Sequence, residues 1–175
     1  MDHVIEPAAS GRAKCRGCGA GIAKGELRLG ERLPNPFTGE GVMTHWFHLG
    51  CAAFKRPEVV LATLPDTPQE VPKRDALIES AQLGVAHRRL PRIDGVERAP
   101  TARARCRDCR EPIARDDWRI RLVFHDEGQF NPSGFLHIGC AGSYLGTGDV
   151  LDRLTHFTPE LSPEDGVELR ELLGA

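Results

Sequence analysis

Apolar and polar positions alternate most clearly between Trp118 and Phe124. Trp118, Ile120, Leu122 and Phe124 fall on one side, with Arg119, Arg121 and Val123 between them. A period of two predicts a strand with one buried face. Leu27 and Leu29 around Arg28 give a weaker version of the same pattern earlier in the chain. A Gly- and Pro-bearing turn precedes each strand, and a loop followed by a second strand comes after it. Near the C-terminus Val167, Leu169, Leu172 and Leu173 form a short helical face. Ser162 and Asp165 predict a capping box there, with Pro163 at the first helical position. The corresponding earlier segment, Pro72 to Leu83, reads as a helix that Gly84 stops.

These elements recur because the chain repeats. A shift of about ninety residues lays Arg12-Ala13-Lys14-Cys15 over Arg103-Ala104-Arg105-Cys106. The same shift pairs Ile22-Ala23-Lys24 with Ile113-Ala114-Arg115, Arg28 with Arg119, and Thr67-Pro68 with Thr158-Pro159. The period is too long for a solenoid, so a whole module is duplicated. Residues 1–84 read as the first module, 85–100 as a linker bearing Pro91, Gly95 and several arginines, and 101–175 as the second. Hydrophobic content of 40% with 6% aromatic residues does not build one large aromatic core. Two small modules, each stapled because its own core is thin, fit better.

The staple is legible in the cysteines. All six fall into two copies of one pattern: Cys15-x2-Cys18 with His48-x2-Cys51, and Cys106-x2-Cys109 with His137-x2-Cys140. Three soft sulfurs and one imidazole make the closed tetrahedral shell of a structural zinc site, so two such ions are implied. A disulfide framework fits less well, because the start of the chain lacks a basic-then-apolar secretory signal. A thioredoxin-like pair would leave the His-x2-Cys pairs unexplained. His45 and His125 lie near enough in sequence to compete as ligands; the shared spacing favours His48 and His137.

Net charge of −2 gives no global nucleic-acid signature, yet the distribution is uneven. Arg12, Lys14, Arg16, Lys24, Arg28 and Arg32 surround the first ligand set. Arg103, Arg105, Arg107, Arg110, Arg115, Arg119 and Arg121 surround the second, diluted by Asp108, Glu111, Asp116 and Asp117. The C-terminal helical parts are acidic. Such a molecule can turn one face to phosphates, although arginines at alternate strand positions also make an ordinary solvated face.

Ser10-Gly11-Arg12-Ala13-Lys14-Cys15-x2-Cys18, the long insert and His45-Trp46-Phe47-His48-x2-Cys51 resemble the zinc finger of poly(ADP-ribose) polymerases. That finger is shared with DNA ligase III and a plant DNA 3′-phosphoesterase. The second module departs from it, with Phe135-Leu136 for Trp46-Phe47 and Thr101-Ala102 for Ser10-Gly11. The resemblance implies a small, zinc-stabilised α+β fold: two tandem fingers, each a short antiparallel sheet plus a C-terminal helix. It implies binding of DNA strand breaks without sequence preference. Arg12 and Arg28, and Arg103 and Arg119, then grip the phosphate backbone, helped by Lys14, Arg16, Arg32, Arg105 and Arg121.

In the insert, Phe37 and Val42 or Met43, and Phe130 in the second finger, are placed to cover an exposed base face, or else to pack on their own strands. A non-enzymatic monomer is expected, acting at the bacterial nucleoid or in a eukaryotic nucleus, with no membrane partner. An alternative is a zinc-dependent interaction module or adaptor that recruits a separate repair enzyme.

Overall fold

A computed structural model describes residues 2–35 and 40–174. The chain divides into two compact units, one running to Ala86 and including Glu127–Gln129, the other comprising His87–Asp126 and the chain from Phe130 onward.

In the first unit, β1 (Val4–Pro7), β2 (Leu27–Pro34) and β3 (Val42–His48) form an antiparallel sheet with β2 at its centre. The register pairs Ile5 with Leu29 and Leu29 with Phe47. All three side chains are buried, together with Ile22 from the loop. Gly30 in β2 has a steric reason: a Cβ there would lie 2.7 Å from the Trp46 ring and 2.9 Å from Val4.

The chain then turns through α1 (Leu49–Lys55), α2 (Pro57–Thr63), a 3-10 turn at Leu64–Asp66, and α3 (Arg74–Ala86). Three helices thus follow the sheet where one was expected. The last of them begins two residues after the expected Pro72 and runs through Gly84, which is buried inside it and does not stop it. A glycine packed against neighbours is tolerated in a helix when its lack of a side chain allows close approach.

The second unit repeats this plan. After a 3-10 turn at Leu90–Arg92, β4 (Ile93–Arg98), β5 (Trp118–Asp126) and β6 (Gln129–His137) form a sheet in that order. Residues 85–100 are therefore not a linker. They complete α3 and supply the first strand of the second sheet, with Ile93 and Val96 buried. A bulge between Ile93 and Val96 breaks the alternation that would have revealed the strand. Gly95 carries it at φ 106, and a Cβ there would sit 2.5 Å from the Thr158 hydroxyl.

The hairpin turn between β5 and β6 uses Glu127 (φ 46) and Gly128 (φ 79), both left-handed as a type I′ turn requires. On β5, Phe124 is exposed and Val123 buried, so the alternation breaks before the strand ends. A 3-10 turn at Ile138–Cys140, α4 (Ala141–Leu145), α5 (Leu151–His156) and α6 (Pro163–Leu173) close the unit. The capping box forms: Ser162 Oγ accepts the Asp165 N–H, and Asp165 Oδ2 accepts the Ser162 N–H. Leu169 is the buried residue of α6, whereas Val167 and Leu172 are exposed. Arg98 ties α6 to the sheet, bonding Glu168 at 2.6 Å while lying 4.2 Å over the Trp118 ring.

Candidate metal centres and nucleic-acid interface

Each ligand set is assembled from three places in the fold. Cys15 and Cys18 sit on a tight turn, His48 ends β3, and Cys51 lies in α1. The turn is closed by the Gly19 N–H on the Cys15 carbonyl, with Gly19 at φ 77. In the second unit Arg110 does the same to Cys106 at φ 69. The donor atoms of Cys15, Cys18, His48 and Cys51 all lie within 4.8 Å of one another, as do those of Cys106, Cys109, His137 and Cys140. That separation suits four ligands around one ion with Zn–S bonds of about 2.3 Å.

The histidines are oriented by their second nitrogen. His48 Nδ1 lies 3.4 Å from Cys18 Sγ and 3.8 Å from Cys51 Sγ, while Nε2 is 3.1 Å from the Gly21 carbonyl. Nε2 therefore carries the proton and donates, leaving the Nδ1 lone pair for the metal. His137 repeats the geometry, with Nδ1 3.4 Å from Cys109 Sγ and Nε2 3.1 Å from the Pro112 carbonyl. The rival candidates are elsewhere: His45 is buried in β3, and His125 packs on Phe130 at 4.9 Å between centroids.

Hydrogen bonds favour thiolate at the first cysteine of each set. A hydrogen bond from Cys51 holds the Cys15 thiol down to about 4, aided by the His48, Cys18 and Gly17 amides and opposed by burial. The same hydrogen bond, with burial and the neighbouring sulfurs, pushes Cys51 up. Burial resists ionisation at Cys106, yet the amides of His137, Asp108 and Cys109 bring it down to about 7. Burial pushes Cys140 up to about 12. Three sulfurs crowded with one imidazole thus share protons that a dication displaces. The donor set and its geometry fit structural zinc in both units. The four protein donors fill a tetrahedral shell and leave no position for a substrate.

The basic residues divide into two populations. Arg12, Lys14, Arg16 and Arg32 are exposed, as are Arg103 and Arg105. Lys14, Arg16, Gly19, Thr44 and Trp46 line an open recess beside Cys15. Arg28 and Arg119 differ from expectation. Arg28 is 7% exposed, bonds Glu6 at 2.9 Å and lies 3.4 Å over the Trp46 ring. Arg119 is 6% exposed, bonds Glu97 at 2.5 Å and lies 3.6 Å over Phe135. The register explains both, because Glu6 faces Arg28 and Glu97 faces Arg119 on the neighbouring strand. Phe135 thus replaces Trp46 and keeps the cation–π pairing. Arg121 is half-exposed, bonding the Asp94 carbonyl at 2.8 Å and Glu97 at 3.4 Å.

Of the apolar loop candidates, Val42 is 52% exposed at the hairpin of the first sheet and Met43 is half-buried. Phe37 lies outside the described residues. Phe130 is half-buried against His125. Phe124 of the same hairpin is 44% exposed, although the alternation assigns it to the core.

A family model described as the poly(ADP-ribose) polymerase and DNA-ligase Zn-finger region matches residues 6–88. A poly [ADP-ribose] polymerase of Drosophila melanogaster is 30% identical over 148 residues, covering 72% of this chain and 14% of that protein. Poly [ADP-ribose] polymerase 1 of Gallus gallus is 32% identical over 142 residues, 71% of this chain and 14% of its own length. The polynucleotide 3′-phosphatase ZDP of Arabidopsis thaliana is 28% identical over 168 residues, 80% and 24% respectively. The chain therefore spans a quarter or less of the length of these relatives.

Proposed function

Starting from a chain that belongs to the zinc-finger family of poly(ADP-ribose) polymerases and DNA ligases, with two such fingers in tandem, we propose that it binds DNA strand breaks without reading sequence. The observation that carries this reading is the exposed cationic ridge on each ligand turn: Arg12, Lys14 and Arg16 in the first unit, Arg103 and Arg105 in the second. The bound metal orders that ridge, so its cationic groups meet phosphate oxygens without first losing loop entropy. Phosphate contacts position a protein on a duplex and carry no sequence code.

Arg28 and Arg119 instead hold β2 to β1 and β5 to β4. Selectivity for breaks comes from the hairpins. A nick or end exposes a base face that intact duplex hides in the stack. Val42 in the first unit and Phe124 in the second are the exposed apolar groups that we assign to cover it. Missing stacking also makes bending at a nick cheap. We assign no catalysis to these two modules, whose metal shells are closed. They act where DNA is kept.

The test is binding of the zinc-loaded chain to matched nicked, blunt-ended and closed circular duplexes at two salt concentrations. Preference for the nicked form at both salts supports the reading. Equal and steeply salt-dependent binding to all three would leave a basic surface and no break sensor. Arg12→Ala removes one phosphate-binding cation and should lower the slope of log K against log salt by about one.

A further inference from the structure

The two sheets treat their outer edges differently. In the second unit the Val96 N–H donates to the Thr158 hydroxyl at 2.9 Å, and that hydroxyl lies 3.4 Å from the Val96 carbonyl. One side chain closes both outward-facing backbone groups. The equivalent residue in the first unit is Ile5: it pairs with Leu29 as Val96 pairs with Ile120, and the following glutamates face Arg28 and Arg119 alike. Ala8 bonds toward β2, giving its N–H to the Glu26 carbonyl and accepting the Gly25 N–H at its own. Alternation along a strand then points the Ile5 N–H and C=O away from β2.

Thr67 is the counterpart of Thr158, but its hydroxyl accepts the Gln69 N–H. Between Ile5 and Thr67 lies a cleft of about 560 Å³, lined by Asp2, His3, Thr63 and Asp66 among others. That is within the range of about 300–1,000 Å³ in which clefts bury most of a ligand.

We infer that this cleft is a docking slot for an extended peptide of a partner protein carrying lysine or arginine, which adds as a short strand along β1. β1 offers the Ile5 N–H and C=O and the Pro7 carbonyl on that side, which a second extended chain completes. The charge selects the occupant: Asp2 and Asp66 flank the cleft with exposed carboxylates. They repel nucleic-acid phosphates and attract cationic side chains at the alternate positions of an added strand. The slot shares no residue with the recess beside Cys15, so this role does not depend on the DNA reading.

The test uses the full zinc-loaded chain, 15N-labelled, and a capped hexapeptide of alternating threonine and lysine. A second peptide carries glutamate in place of lysine. The lysine peptide is expected to shift the Ile5 amide signal and slow its hydrogen exchange at least tenfold, leaving Val96 unmoved. The glutamate peptide should do neither. Asp2→Asn with Asp66→Asn should weaken the lysine peptide at least threefold while binding to nicked DNA stays unchanged.

An unmoved Ile5 amide at millimolar peptide overturns the inference, as does an equal response to the glutamate peptide. Protection of Ile5 that rises with protein concentration, together with faster sedimentation, would assign the edge to a second copy and overturn it too.

Discussion

Arg28 separates a structural role from a nucleic-acid contact more sharply than any other residue. Its side chain is 9% exposed and its partner Glu6 is 40% exposed, so in Arg28→Ala the orphaned carboxylate regains water. That holds the ion-pair loss well below the 3–5 kcal/mol of a fully buried pair, at about 1 kcal/mol. Removal of the guanidinium from the Trp46 face, where it lies at 3.4 Å, adds about 1 kcal/mol. The total, about 2 kcal/mol, corresponds to a fall of roughly 8–16 °C in Tm for a unit of this size.

The assay is calorimetry at fixed free zinc, with DNA binding measured below the transition at several salts. Arg12→Ala is the contrast, and as a surface change it should move stability by no more than about 0.5 kcal/mol. An Arg28→Ala variant that keeps Tm within a degree of the parent and instead lowers the salt slope by one would refute the structural role. Arg28 would then be a phosphate ligand.

Removing metal should have modular effects. Cys15→Ala should unfold the first unit and leave the second folded, seen as loss of amide dispersion for residues 4–86 alone, because metal binding supplies much of the folding free energy. Phe124→Ala should narrow the ratio of nicked to intact duplex affinity by about 1–3 kcal/mol with little change in stability; an unchanged ratio would remove Phe124 from the contact. Ser162→Ala deletes one half of the capping box on α6. It should cost about 1 kcal/mol of the second unit's stability in denaturant titration.

What could be read from the sequence follows the range of each interaction. Metal ligands were legible because tetrahedral chemistry imposes fixed spacing, and the capping box because it is local. The helices after each ligand set were not. α1, α2, α4 and α5 run for seven, seven, five and six residues, too short for a 3.6-residue period to register in a window of about 11–18. β4 was hidden by its bulge at Gly95. The burial of Arg28 and Arg119 depends on carboxylates 22 residues upstream in each unit. The signal existed, since Ile5-Glu6 and Val96-Glu97 obey the same repeat as the cysteines. A match of two residues is too short to stand out from chance.

The pairing of Arg28 and Arg119 also bears on what the remaining cations are for. Zinc with three thiolates and a neutral imidazole carries one net negative charge. In the first unit Arg28 is cancelled by Glu6, so Arg12, Lys14 and Arg16 stand as three cations against that charge and the Glu26 carboxylate, 3.9 Å from His48 Nε2. A shell in need of neutralisation would be satisfied by one of them. In the second unit Arg103, Arg105, Arg107 and Arg110 surround the ligand turn together with Asp108 and Glu111, and a surplus of cations remains there too. The excess is exposed in both units, on the turn that the metal makes rigid, where holding like charges together costs energy unless a polyanion relieves it. Self-repulsion built into an ordered surface favours a phosphate partner over an ordinary solvated face.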